Sequence, residues 1–536
     1  MKIFRAFLDS LSRAETKALV CITAVFLISA LARAAIAVDE RSVLVPVFGG
    51  VFREGIVGQP IIINPVMSGN TVDMNISELI FSRAKHLSER ISADDKNKVF
   101  TVSLKNDMVW DDKNPITSND VVFTIKTIQN PNSKSPLLKS FEGAIAERVS
   151  QLQTRIELPE SNASFMGTLE KLFVIPEHIY KGVPIENFYL SSYTLQPVGS
   201  GPYKFEGLSQ NKNGFITNYS LERNHLYGGE KPYIDEIKFI FYETADELLN
   251  AFQLKKIDGF GAVEPISDTK LELLRGSAVR LPTTRYFAMF FNLNNPGLGN
   301  ASMRKALVEG VSKKRIISEV FGEAEWLEEI GGPAIGLESD SQLYNPERAA
   351  ETMAKNDTLT DINVFVPNVP YLKTTAEIII DEWTKIGTRN NIELITLDPQ
   401  DIAQNIIKRG EYDMALLNVS PKNYSDLAPF WHSSERGYPG MNLSFYSNPK
   451  VDSLLDSLRK ESDEGKIRDI SELINSYIIN DSPAVFLYSI PYTYVVREGV
   501  GGIPFFSEYW RVRISDPSER FDGISEWFVT KARVLK

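Results

Sequence analysis

With 536 residues the chain has room for several lobes of roughly 100–200 residues each. Hydrophobic residues make up 43% and charged residues 24%, ordinary globular usage that excludes global disorder. The net charge of −11 argues against nucleic acid as a partner, because such proteins need basic surface to displace counterions. The single cysteine, Cys21, allows no intramolecular disulfide. His86, His178, His225 and His432 are scattered without metal-ligand spacing, so neither a metal nor another cofactor is expected.

Residues 18–32 form an apolar run whose only polar members are Thr23 and Ser29. Lys2, Arg5, Arg13 and Lys17 precede it, against Asp9 and Glu15. That bias favours a cytoplasmic amino terminus and export of the chain beyond the run. The run lies between a long signal peptide and a short membrane anchor of about 20 residues. Small residues at Ala30, Ala32, Ala34, Ala35 and Ala37 offer cleavage sites, so a cleaved signal and a retained anchor both stay open. Val20 and Ile22 flank Cys21 and argue against lipidation. Residues 1–37 carry a net charge of +3, which leaves −14 for the exported part.

Apolar residues alternate through 42–57, and Gly69, Asn70 and Thr71 read as turn residues. Residues 76–81 begin a helix, and 99–104 alternate as a strand. Thr117 is placed to cap a helix, with Asp120 three residues on completing a capping box. Val121, Val122, Ile125 and Ile128 give that helix its buried face. The run from Pro197 to Phe205 holds two glycines without phosphate-loop spacing, so they read as a sharp backbone turn.

Residues 286–293 are almost all aromatic or apolar, which predicts a strand buried on both faces. Asn294 to Gly299 break it, and Asn300 is placed to cap a helix. Met303, Leu307, Val311, Ile317 and Val320 form one apolar stripe along that helix. A strand over 362–366, a helical stripe of Ala376, Ile379, Ile380 and Trp383, and a strand over 392–397 predict a βαβ unit. Asn448-Pro449 starts a further helix, with proline pre-set for its first position.

Several blocks carry a family likeness when taken in order. Trp110 with Pro115 to Phe123, Pro197-Val198-Gly199-Ser200-Gly201-Pro202-Tyr203, Phe291-Asn292 followed by Met303-Arg304-Lys305-Ala306-Leu307, and Gly410 to Leu416 are the clearest. Together they resemble the extracytoplasmic solute-binding proteins of peptide- and nickel-class ABC importers, family 5. The resemblance runs from about Gly49 to the carboxyl terminus.

The resemblance implies an α/β, periplasmic-binding-protein-like type II fold: two α/β lobes around a cleft, with a third lobe appended to the first. It implies a signal or anchor segment over 1–38. Lobe I would comprise 39–84, 196–285 and 489–536, the appended lobe 85–195, and lobe II 286–488. Closure would hinge near Arg285 and Tyr488. The implied function is the extracytoplasmic binding component of an ABC importer, a non-enzymatic monomer that takes oligopeptides and delivers them to permease subunits. Gly69, Asn70 and Thr71 would face the ligand, as would Phe287, Trp431 and Tyr488. The loop holding Ser420, Lys422, Asn423, Tyr424 and Asp426 would set specificity. Asn423 stands where the family's peptide binders commonly place an aspartate for the ligand amine, which puts free-amine recognition in doubt. A membrane-anchored ligand sensor, and a binder of a metal chelate, sugar or haem, are the alternative readings. An anchored hydrolase is a third, although GxSxG and HExxH are absent from the sequence.

Overall fold

The structure, a computed structural model, describes residues 12–40, 42–67, 69–262, 264–322, 324–337, 343–356, 361–388, 392–506 and 512–535. Lys2, Arg5 and Asp9 of the charged amino-terminal stretch lie outside them.

Arg13–Glu40 is one continuous helix of 28 residues. Its segment Ala14–Arg33 is long and apolar enough to cross a membrane, and none of it is buried against the rest of the chain. An apolar helix that covers no core draws no stability from packing in water. Directly after it, Ser42–Pro46 pairs antiparallel with Lys531–Leu535, so both ends of the folded part meet in one two-stranded ribbon.

Among the described residues three larger sheets lie beyond the ribbon, of seven, six and four strands. In the seven-stranded sheet, Val51–Val57 is central, parallel to Glu236–Tyr242 on one side and Gly259–Gly261 on the other. The antiparallel strands Tyr492–Val496 and Ser277–Leu281 complete one edge. The four-stranded sheet is antiparallel throughout and holds Val99–Leu104 at its centre. The helix Ser118–Gln129 packs on this body, and its capping box forms as the sequence predicts. Asp120 Oδ2 accepts from the Thr117 backbone N–H at 2.8 Å.

The six-stranded sheet is organised around Tyr286–Phe291, all six residues of which are buried. It pairs antiparallel with Met414–Val419 and Ala484–Ser489. Side chains alternate: Phe287, Met289 and Phe291 enter one core, while Tyr286, Ala288 and Phe290 enter the other. Burial of each large apolar side chain there contributes about 1.5–3 kcal/mol. The βαβ unit is present, with Ile362–Pro367 and Ile392–Leu397 parallel and joined by the helix Pro370–Lys385. Asn448 caps Pro449–Lys460 as expected.

Two expectations are corrected. The helix expected to begin within 76–81 begins at Thr71, because Asn70 Oδ1 accepts the Asp73 backbone N–H and starts the helix a turn earlier. The stripe from Met303 to Val320 spans two helices, Ala301–Glu309 and Lys313–Phe321. Gly310 ends the first and Ser312 caps the second, and the apolar spacing carries on across the break. The backbone bends at Gly201-Pro202 where the sequence places a turn, with neither Gly199 nor Gly201 at positive φ. A Cβ at Gly199 would run into the Ile80 carbonyl oxygen, and one at Gly201 would sit 2.5 Å from the Leu79 carbonyl oxygen. Their missing side chains let this segment lie on the end of the helix Thr71–Ile80, where the Gly201 N–H donates to the Ile80 carbonyl at 2.7 Å.

Candidate functional site

The seven- and six-stranded sheets are joined by two crossovers, one leaving Leu281 for Tyr286 and one returning from Ser489 to Tyr492. The crossovers lie side by side. Ser489 Oγ donates to the Arg285 carbonyl at 2.7 Å, and Thr283 Oγ1 donates to the Ile490 carbonyl at 3.1 Å. Paired strands of this kind can bend while each sheet stays rigid.

Strand direction locates the cleft. Ser277–Leu281 runs into the crossover, and the pairings make Gly259–Gly261, Val51–Val57 and Glu236–Tyr242 run the same way. In the other sheet Tyr286–Phe291 runs away from the crossover. Met414–Val419, Ile362–Pro367 and Ile392–Leu397 therefore run toward it. Both sets of parallel strands thus end at the crossovers, and the carboxyl ends of parallel strands are where open α/β sheets hold ligands. A surface depression of about 370 Å³ beside Asn294, Pro296 and Asp413 lies at the opposite end of the central strand. Asp413 there accepts from Asn295 Nδ2 at 2.6 Å and from the Asn363 backbone N–H at 2.9 Å, a structural use of its carboxylate.

Beside the crossovers the two lobes meet through side chains. The Arg513 guanidinium donates to both carboxylate oxygens of Glu328, at 2.7 and 2.8 Å. The Arg280 guanidinium lies 4.6 Å from the centre of the Trp326 ring and pairs with Asp268 at 2.6 Å. Tyr371, in the first turn of Pro370–Lys385, packs edge-on against Phe287 with ring centres 6.0 Å apart. Burial pushes the Tyr371 phenol up, while the Arg285 charge pulls it down and Glu264 of the opposite lobe pushes it up.

The residues expected to contact ligand divide into three groups. Gly69 and Thr71 are exposed, with Asn70 between them as a helix cap. Asn70 also donates to Asp73, whose carboxylate holds the Ile61 and Ile62 N–H groups at 2.8 and 3.0 Å.

The loop after Met414–Val419 emerges at the crossover end, and Ser420, Lys422 and Asn423 on it are exposed. Its polar groups are largely satisfied within the loop. Asn423 Oδ1 accepts from Ser425 N and Oγ, and Asp426 Oδ2 accepts from Lys422 N at 2.9 Å. The Tyr424 hydroxyl reaches away to Glu464 at 3.3 Å.

Phe287, Tyr488 and Trp431 lie in the packed core of the structure, each 2% exposed or less. The Tyr488 hydroxyl meets Thr375 Oγ1 at 2.9 Å, and its ring centre is 5.5 Å from that of Phe287. Trp431 packs against Phe290, Tyr446 and Phe486 on the other face of the sheet. Sequence reasoning placed Arg285 only as a hinge position and missed Tyr371, Trp326 and Glu264. The available signal was a lone arginine abutting a run of buried apolar residues.

Comparison with known proteins agrees with this architecture. Residues 84–439 match the family described as bacterial extracellular solute-binding proteins, family 5 Middle. The chain is 21% identical to the oligopeptide-binding protein AppA of Bacillus subtilis (strain 168), covering 92% of this chain and 94% of the relative. Its fold is similar to the ABC transporter substrate-binding protein CtaP of Listeria monocytogenes, with a TM-score of 0.76 and 22% identity, over 90% of this chain and 99% of that one. It is also similar to Bacillus subtilis AppA solved in complex with a nonapeptide, with a TM-score of 0.73 and 19% identity, over 91% of this chain and 100% of that one. The chain belongs to family 5 of the bacterial extracellular solute-binding proteins.

Proposed function

We propose that this chain is the substrate-binding component of an ABC importer, which captures oligopeptides between two hinged lobes and hands them to permease subunits in the membrane. The observation that carries this reading is the paired crossover: two sheets end their parallel strands on a common cleft and are joined by only two adjacent segments. Such a joint closes on a ligand by rotation with little change inside either lobe. Oligopeptides are favoured as cargo because the full-length relative is an oligopeptide-binding protein and a protein of similar fold holds a nonapeptide.

In this reading lobe I comprises 39–84, 196–285 and 489–536, the appended lobe 85–195, and lobe II 286–488. Gly69, Asn70 and Thr71 face the ligand from lobe I. Ser420, Lys422, Asn423, Tyr424 and Asp426 face it from lobe II. The protein binds without turning its ligand over and acts as a monomer on the extracytoplasmic side. The helix Arg13–Glu40 is a retained membrane anchor or a cleaved signal, since its apolar segment covers nothing in the fold.

The test is native mass spectrometry of the full chain, purified in mild detergent from its own cells without denaturation and then offered a pool of synthetic peptides. A ladder of bound peptide masses is expected. A single non-peptide mass that no peptide displaces would overturn the choice of cargo. A chain that arrives empty and takes nothing from the pool would also count against it.

A further inference from the structure

We propose that Arg285 is the anion-binding group of the cleft and takes a carboxylate of the bound ligand, with the Tyr371 hydroxyl beside it. This rests on the reading of the chain as a peptide-binding protein and adds which chemical group of the ligand is recognised.

Among the described residues the Arg285 guanidinium has no carboxylate within ion-pair distance and donates no hydrogen bond, and its Nε is buried without a partner. The backbone carbonyl of the same residue accepts from Ser489 Oγ in the crossover. The side chain is held in place by packing, with the guanidinium carbon 5.7 Å from the centre of the Phe287 ring. Phe287 is in turn clamped between Tyr371 and Tyr488. Burial pushes the Arg285 pKa below its ordinary value, and the Tyr371 phenol is the one opposing influence. Glu264 acts on Tyr371 from the other lobe without pairing with Arg285.

An arginine keeps its charge in a protein, so burial cannot be relieved by loss of the proton. Arg285 is half-buried, with its Nε shielded from water, so the unpaired guanidinium is only partly solvated. The other arginines beside the crossovers are paired, Arg280 with Asp268 and Arg513 with Glu328. Arg285 differs from them in lying between the lobes with its donors unused. A carboxylate entering the cleft would meet a planar fork of donors already positioned by an aromatic platform, the geometry that makes arginine–carboxylate pairing strong. The specificity loop offers no competing cation of this kind, because Lys422 is exposed to water. The carboxylate can be the carboxyl terminus of a peptide or an acidic side chain, since both present the same two oxygens.

Two measurements on the full chain in detergent test the assignment. The first needs no ligand. The Arg285→Gln variant is expected to melt at a higher temperature than the wild type when both are empty, because an uncompensated charge has been removed. A lower melting temperature would assign Arg285 a structural role and overturn the proposal.

The second uses synthetic peptides lacking Asp and Glu, as free acids and as carboxyl-terminal amides, beside amidated peptides that contain Asp or Glu. Wild type is expected to prefer one carboxylate-bearing set over the neutral amides by about tenfold or more, a preference lost in Arg285→Gln and partly kept in Arg285→Lys. Preference for the free acids identifies the terminus, and preference for the acidic amides identifies a side chain. Equal binding of all three sets by wild type would overturn the proposal. If wild type binds no peptide at all, the peptide reading fails, and the sign of the melting shift alone decides the role of Arg285.

Discussion

Arg520 Nη2 donates to Glu54 Oε1 at 2.7 Å across 466 positions of sequence, and both side chains are buried, at 1% and 0% exposure. The pair fastens the last part of the chain to the first long strand. Glu54 Oε2 accepts from the Tyr494 hydroxyl at 2.7 Å, and Arg520 Nη1 donates to Asn75 Oδ1 at 2.7 Å. The Arg520 guanidinium also lies 4.1 Å from the centre of the Phe521 ring. Burial pushes the Glu54 carboxyl up and the Arg520 charge opposes it.

Removing one partner of a buried pair leaves the other charge alone, at a cost of about 3–5 kcal/mol. Arg520→Met is therefore expected to lower stability by that amount. The double variant Arg520→Met with Glu54→Leu should lose much less than the two single variants combined. Urea unfolding of the four proteins decides this, and simple additivity would show that the two residues act independently.

Gly199 and Gly201 lead to a different kind of prediction. Neither has a positive φ, so the constraint is space and not backbone conformation. The atoms in the way are the Leu79 and Ile80 backbone carbonyls, which cannot rotate aside as a side chain would. Gly201→Ala and Gly199→Ala should each cost about 3 kcal/mol or more, the upper end for overpacking. Gly207→Ala, which meets nothing within 4 Å, is the control and should change little. Chemical denaturation of the three variants tests this, and similar losses at all three sites would reject close approach as the reason.

What the sequence reveals depends on how local the cause is. The central strand is legible because six consecutive buried residues leave no polar face. The Thr117–Asp120 capping box is legible because both partners lie within one turn. The break at Gly310 is not, because the apolar period continues across it and an isolated glycine in a helical pattern is ambiguous. Phe287, Trp431 and Tyr488 are ambiguous because an aromatic residue reads the same in a core as in a cleft wall. The Glu54–Arg520 pair leaves no local trace at all. Arg285 stands out only once the structure shows which arginines already have partners.

Glu78 makes stability depend on pH. Burial pushes its carboxyl from 4.5 to about 7, with Arg83 opposing and the Asp522 charge adding to the rise. Arg83 Nη2 donates to it at 2.7 Å. The folded chain therefore holds a proton at Glu78 that the unfolded chain has released between those two values. Stability from this group is fully present below the lower value and is lost as pH rises through about 7. Between about pH 5 and pH 8 the urea midpoint of Glu78→Gln should fall less than that of wild type. Parallel pH profiles for the two proteins would show that Glu78 titrates normally.

The body around the four-stranded sheet also touches the body around the six-stranded sheet directly. The Ala163 backbone N–H donates to the Arg459 carbonyl at 2.7 Å, and Asn97 Nδ2 donates to Ser462 Oγ at 3.0 Å. The first contact is backbone to backbone and survives side-chain substitution, whereas the second depends on one hydroxyl. These bonds add to the side-chain contacts beside the crossovers, so they favour the arrangement in which the two bodies are together. A hydrogen bond of this kind contributes about 0.5–1.5 kcal/mol. Ser462→Ala should therefore shift the population toward separated lobes and weaken ligand binding by about two- to tenfold. The melting temperature of the empty chain should barely move, because no core is disturbed. Small-angle scattering of the empty variant should show a larger radius of gyration than wild type. A compact variant with unchanged affinity would mean that the contact does not influence closure.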